Sequence, residues 1–192
     1  MRKISTLIIS LPLLIFAAQW QSLNGPPVGS AGDMSMGWDP LHNYWVIYAA
    51  ETDWNRYPWR LYKSTNEGEL WEHIWHDQII NPTCVITRPN DAQIVYIGKN
   101  DATPVWWSQD GGQIWEPRST GITNTNPLCF AMDLNNPAVV YVGCEIAGGP
   151  YGIYKTTNGG IQWNQCGNLV YTVRDIWINP NNSQILYIAT DN

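Results

Sequence analysis

Ser108-Gln109-Asp110-Gly111-Gly112-Gln113-Ile114-Trp115 joins a hydroxyl, a carboxylate two residues on, a pair of glycines and a tryptophan within eight residues. That combination reads as a tight hairpin turn. The hydroxyl and carboxylate oxygens can accept hydrogen bonds from nearby backbone amides, and glycine tolerates the positive φ that such a turn demands. Two other stretches repeat the pattern: Ser64-Thr65-Asn66-Glu67-Gly68-Glu69-Leu70-Trp71 and Thr156-Thr157-Asn158-Gly159-Gly160-Ile161-Gln162-Trp163. They lie 44 residues before and 48 residues after the first. A second marker, an apolar run with a central tyrosine, recurs at Tyr48, Tyr96, Tyr141 and Tyr187, at intervals of 48, 45 and 46 residues. Two independent markers holding one period define an internal repeat.

Working outward from the turn, each repeat reads as four short strands. The first ends near a proline (Pro40, Pro89, Pro137, Pro180), and the second carries the tyrosine. The third runs into the turn, and the fourth starts at or just before the turn's tryptophan. β-Branched and aromatic residues fill these runs, while Gly, Asn, Asp and Pro separate them. No convincing amphipathic helix follows the first residues. The expectation is an all-β chain, a β-propeller of four-stranded antiparallel blades. In it Ser64, Asn66, Gly68, Trp71, Ser108, Asp110, Gly112, Trp115, Thr156, Asn158, Gly160 and Trp163 serve structure rather than catalysis. Each of the three tryptophans is expected to be buried beneath its turn.

These segments resemble the Asp-box, or bacterial neuraminidase repeat: Ser or Thr, any residue, Asp, any, Gly, two of any, then Trp. The second copy fits fully, and the other two carry Asn66 and Asn158 in place of Asp. The resemblance covers the chain from about Trp20 to its end. It implies a propeller, in a group that includes sialidases, xyloglucan-cleaving glycosidases, sortilin-type receptors and photosystem assembly factors. It specifies architecture and leaves activity open.

The chain opens with Met1-Arg2-Lys3, an apolar run from Ile4 to Phe16 and then Ala17-Ala18, the order of a secretory signal peptide. Residues 1–18 are therefore expected to be a cleaved leader, with an uncleaved anchor as the alternative, and 19–192 a secreted, periplasmic or cell-surface module with no later membrane span. Trp20 to Gly25 resembles the stretch after a box, and no box follows Tyr187. The expected ring is thus partial: one outer strand, three whole blades and half of another. Two readings follow, the front piece of a longer protein or a half-ring that self-associates through an open strand edge.

Ten basic and 16 acidic residues leave a net charge of −6, and no Lys/Arg cluster offers phosphate contacts, so nucleic acid is excluded as an expected partner. Cys84, Cys129, Cys144 and Cys166 match no metal-ligand spacing. Cys84 and Cys129 follow matching Asn-Pro-X contexts, which favours buried free thiols over disulfides, although an exported chain permits both. No metal or cofactor fingerprint is present, and none is expected.

An acidic residue closes every second strand: Asp53, Asp101, Glu145 and Asp191. Asp53 and Asp101 are candidate acid and base groups for a glycosidic bond, the alternative being a repeated structural cap. The phrase Glu51-Thr52-Asp53 is similar to the Thr-Asp of xyloglucan-cleaving enzymes, where the resemblance implies a catalytic Asp followed by Gly-Gly; here Trp54-Asn55 follows. Sialidases grip a carboxylate with three arginines after an Arg-Ile-Pro, and the only Arg-Pro here is Arg88-Pro89. Trp54, Tyr57 and Trp59 crowd one loop and are candidate sugar-stacking residues, with core filling as the rival role. The expected function is binding or scaffolding of a carbohydrate polymer or an extracellular protein. The alternative is a glycosidase of xyloglucanase or sialidase type whose catalytic set is completed beyond residue 192.

Overall fold

The structure, a computed structural model, describes residues 25, 31–52, 58–74, 81–146 and 152–191. The expected leader, the Trp20 strand, Asp53, Trp54 and Tyr57 lie outside the described residues. Strands β1 (Ala31–Asp39), β2 (Tyr44–Glu51), β3 (Leu61–Ser64) and β4 (Glu72–Ile74) form one antiparallel sheet in chain order. A second holds β5 (Pro82–Arg88), β6 (Asp91–Lys99), β7 (Val105–Ser108) and β8 (Glu116–Pro117). The third holds β9 (Pro127–Met132), β10 (Val140–Cys144), β11 (Ile153–Thr156) and β12 (Trp163–Gln165), and β13 (Val173–Ile178) pairs with β14 (Leu186–Thr190) in a two-stranded sheet. No described residue is α-helical. The first strands β1, β5, β9 and β13 contact one another in series, so the sheets stand side by side as blades around their innermost strands. This is a partial β-propeller.

The core lies in the seams between blades. The first seam joins Val46, Tyr48, Ala50 and Leu61 of blade 1 to Val85, Ala92, Val95, Ile97, Trp106 and Trp115 of blade 2. Cys84, Tyr96 and Val105 of blade 2 meet Phe130, Met132, Val140, Tyr154 and Trp163 of blade 3 in the second. Cys129, Ala131, Tyr141 and Ile153 meet Val173 and Ile176 in the third. Tyr48, Tyr96 and Tyr141 therefore face the following blade, and Trp115 and Trp163 face the preceding one. Burying large aromatics at every seam supplies much of the apolar area that holds such a stack together.

Polar bonds also cross a seam. The amides of Val85 and Thr87 on β5 donate to Asp33 Oδ2 and Ser35 Oγ on β1, each at 2.9 Å, and the Tyr48 hydroxyl donates to the Ala92 carbonyl at 2.8 Å. Side chains of one inner strand thus satisfy backbone donors of the next, groups that would otherwise be costly to bury.

One expectation needs correction. Trp115 and Trp163 are buried, whereas Trp71 is only half-buried. All three boxes form the turn, but Trp115 and Trp163 are covered by the blade before their own. Among the described residues no blade precedes blade 1, so Trp71 keeps its turn contact and lacks the seam.

Candidate functional site

The three boxes fold as the β3–β4, β7–β8 and β11–β12 turns. In the second, Ser108 Oγ donates to Asp110 Oδ1 at 2.8 Å and accepts from the Gly112 amide at 2.9 Å. Asp110 Oδ1 also accepts from the amides of Gln113 (3.0 Å) and Ile114 (2.9 Å). The first box repeats this with Ser64 and Asn66 accepting from Gly68 and Leu70, and the third with Thr156 and Asn158 accepting from Gly160 and Gln162. Asn serves as well as Asp because an acceptor oxygen, not a charge, is what the turn uses. Residues 67, 111 and 159 all have positive φ, at 60°, 70° and 68°. Trp71 and Trp115 donate from Nε1 to Gly68 O and Gly112 O at 3.0 Å, while Trp163 donates to Arg118 O of blade 2 at 2.7 Å. These side chains hold the three turns together.

The ends of the second strands lie on the side opposite the boxes. Asp101 is exposed and pairs with Lys99 Nζ at 3.2 Å; that bond holds its carboxyl below the usual carboxylate range, outweighing a smaller effect of burial. Asp191 is paired with Arg174 at 2.5 Å and is likewise held low. Glu145 accepts from Asn126 Nδ2, and its backbone carbonyl accepts from Asn124 Nδ2 at 2.7 Å. Their backbones close the same corner, with Asp101 N donating to Thr125 O and Asp191 N to Thr172 O, both at 3.1 Å. Among the described residues, the backbone amides of Asp101, Glu145 and Asp191 thus tie strand ends to neighbouring loops. Trp59 is half-buried, and its backbone exchanges bonds with Asn81, donating to Oδ1 at 2.9 Å and accepting from the amide at 3.1 Å.

Two carboxylates escaped the sequence reading. Each inner strand carries a bulge at its start, with register shifts between Ala31 and Asp33, Pro82 and Cys84, and Val173 and Asp175. Blade 3 has the same irregularity opposite Gly143 and Cys144. Asp33, Cys84, Cys129 and Asp175 thereby occupy one position, paired with Ala50, Gly98, Gly143 and Ala189. The thiols tuck over glycine: a Cβ on Gly98 or Gly143 would sit 2.5 Å from Cys84 Sγ or Cys129 Sγ. All four cysteines are free, and burial pushes the Cys129 thiol up to about 12. The buried thiols of Cys84, Cys129 and Cys144 are packing groups.

Asp33 differs from the loop-end acids because its carboxyl is raised. Burial is the main cause and the nearby Asp175 charge adds to it, while bonds from the Val85 and Met34 amides oppose it. Asp33 and Asp175 thus share one register position, on the inner strands of blades 1 and 4. Their equivalence is hidden in the sequence because the β1–β2 hairpin is longer. Ser35 pairs with Tyr48 at 13 residues' separation, whereas Ile86–Tyr96, Ala131–Tyr141 and Trp177–Tyr187 are each 10 apart.

No family model matches the sequence, and no curated protein does. Solved structures share its fold. A GH74 enzyme from Niastella koreensis superposes with a TM-score of 0.64 at 19% identity, over 83% of this chain and 26% of that one. The GH74 xyloglucanase from Xanthomonas campestris gives 0.58 at 15% identity, over 76% and 25%. YCF48 bound to D1 peptide gives 0.56 at 18% identity, over 89% and 52%. The chain therefore spans about a quarter of the two GH74 chains and about half of YCF48. At these identities the likeness establishes a shared fold, and the chain is similar in architecture to β-propeller proteins.

Proposed function

We propose that this chain is part of an exported Asp-box repeat propeller, released from a leader of residues 1–18, that binds or scaffolds a polymer through the face opposite the box turns. Carbohydrate is the first ligand class to try, because propellers of the GH74 kind are among its fold neighbours. The observation that carries the binding role is the pairing of Asp101 with Lys99 and of Asp191 with Arg174. A general acid must hold its proton near neutral pH, which takes a raised pKa, and these two carboxyls are held low.

A glycosidase whose catalytic set is completed beyond residue 192 is the second reading. It is favoured by Asp33, a carboxyl that burial raises. Two affinity-gel runs, one with xyloglucan and one with a sialylated glycan, separate the readings when combined with turnover assays. The expected result is slowed migration on at least one polymer and no hydrolysis above buffer by wild type, Asp53→Asn, Asp101→Asn or Asp33→Asn. Hydrolysis by wild type that any one substitution abolishes would replace the binding role with catalysis. Unchanged migration on both polymers would remove carbohydrate as the ligand.

A further inference from the structure

The seam between blades 1 and 2 carries a polar cluster at the end where the box turns lie. Asp39, the last residue of β1, is a carboxylate that is 0% exposed. Its Oδ1 accepts from the Leu41 and His42 amides at 2.9 and 3.2 Å, and its Oδ2 accepts from His42 Nδ1 at 2.8 Å. Those three bonds cap the β1–β2 hairpin of its own blade. A fourth leaves the blade, because Gln93 Nε2 of β6 donates to the same Oδ2. Two further bonds cross the seam beside it, Trp38 N to Pro89 O at 2.7 Å and Lys63 Nζ to Gly111 O at 3.2 Å.

The second seam is bonded differently. Thr83 Oγ1 donates to Pro127 O at 2.6 Å, and Trp163 donates from its amide and its ring to the carbonyls of Thr120 and Arg118. None of these groups titrates in acid. The hairpin acid of blade 3, Asp133, accepts from the Asn135 and Asn136 amides of its own turn. Asp39 thus joins a hairpin cap to a bond between blades, and it does so with a group that protons can switch.

We propose that Asp39 is an acid-sensitive latch, whose protonation frees the box end of blade 1 from blade 2 while the second seam stays closed. All four partners of the carboxylate are donors. A proton on Oδ2 would place an O–H against the N–H groups of His42 and Gln93, so the bond between blades is lost. Burial raises the Asp39 pKa, but the bonds from the His42 ring and from the His42 and Leu41 amides outweigh it and hold the carboxyl below its usual range. A carboxyl lowered in this way lends stability that is complete above its unfolded pKa of about 3.9 and lost as pH falls through the folded value. The latch therefore holds at neutral and mildly acid pH and opens below about pH 4. His42 donates from Nδ1 whether its ring is neutral or charged. Tyr44, Tyr48 and Lys63 also face Asp39, with Glu72, Asp91 and Asp110 acting on those three. Asp91 pairs with Arg88 at 3.8 Å and Asp110 serves its own box, both within blade 2.

Amide hydrogen exchange of the purified chain, followed by NMR at about pH 6 and about pH 3 and corrected for intrinsic rates, tests this. The Trp38 amide reads the first seam through its bond to Pro89 O, and the Trp163 amide reads the second through its bond to Thr120 O. In wild type the protection of Trp38 is expected to fall about tenfold or more on acidification, the usual worth of a hydrogen bond to a charged group, with Trp163 changing less than about twofold. Asp39→Asn should show the low Trp38 protection at both pH values. Gln93→Leu, which leaves the hairpin cap of Asp39 intact, should do the same and serves if Asp39→Asn does not fold. Trp38 protection indifferent to pH in wild type would overturn the proposal. So would an equal loss at Trp38 and Trp163, or a wild-type pH response retained in Gln93→Leu.

Discussion

Trp163→Ala is expected to lower the unfolding free energy by roughly 3–5 kcal/mol, the usual cost of removing a large buried aromatic. Trp163 is 1% exposed and packs in the second seam among Tyr96, Phe130, Val142 and Tyr154. Its ring donates to Arg118 O and its amide to Thr120 O at 2.9 Å, so the side chain pins blade 3 to the linker leaving blade 2. Truncation empties the seam and strands the Arg118 carbonyl together. Trp71→Ala, at a half-buried site with only the turn contact, should cost clearly less. Urea unfolding followed by circular dichroism measures both, and equal losses would mean that the seam contributes little to the burial of Trp163.

Gly121→Ala is expected to cost about 2–5 kcal/mol, from two sources that act together. Gly121 has φ of 93°, a conformation that charges an L-residue about 1–2 kcal/mol. A Cβ there would also lie 2.1 Å from Trp163 O and 2.4 Å from Gln162 Nε2. A backbone oxygen cannot swing aside, so the linker must shift away from blade 3, and such overpacking costs about 1–3 kcal/mol. The same unfolding experiment reads it. A loss below about 1 kcal/mol would show that the linker does not approach Trp163 as described.

What was legible in the sequence was local. The box turns are built from hydrogen bonds between residues two to four apart, so residue types at fixed spacing were sufficient to find them. The equivalence of Cys84 and Cys129 was legible for a similar reason, since both blades have hairpins of one length. Burial of Trp71 was misjudged because it depends on a neighbouring sheet rather than on the turn. Asp33 and Asp175 were missed because a hairpin three residues longer in blade 1 shifts Asp33 away from the repeat's tyrosine marker. The pairing of Asp101 with Lys99 lay within two residues, yet the sequence did not reveal it, because both ends had to be placed at the strand's exit by the fold.

The central claim is that the three boxes adopt one turn, with a left-handed residue at the fourth position. The most direct measurement is the change in unfolding free energy for the pair Glu67→Gly and Gly159→Ala. Glu67 holds φ of 60° at a cost that glycine would remove, while Gly159 holds φ of 68° and has room for a Cβ, with Tyr96 Oη 3.6 Å away. The account predicts opposite signs, Glu67→Gly stabilising and Gly159→Ala destabilising by about 1 kcal/mol each. Changes of the same sign, or none at either position, would contradict the shared turn and with it the repeat.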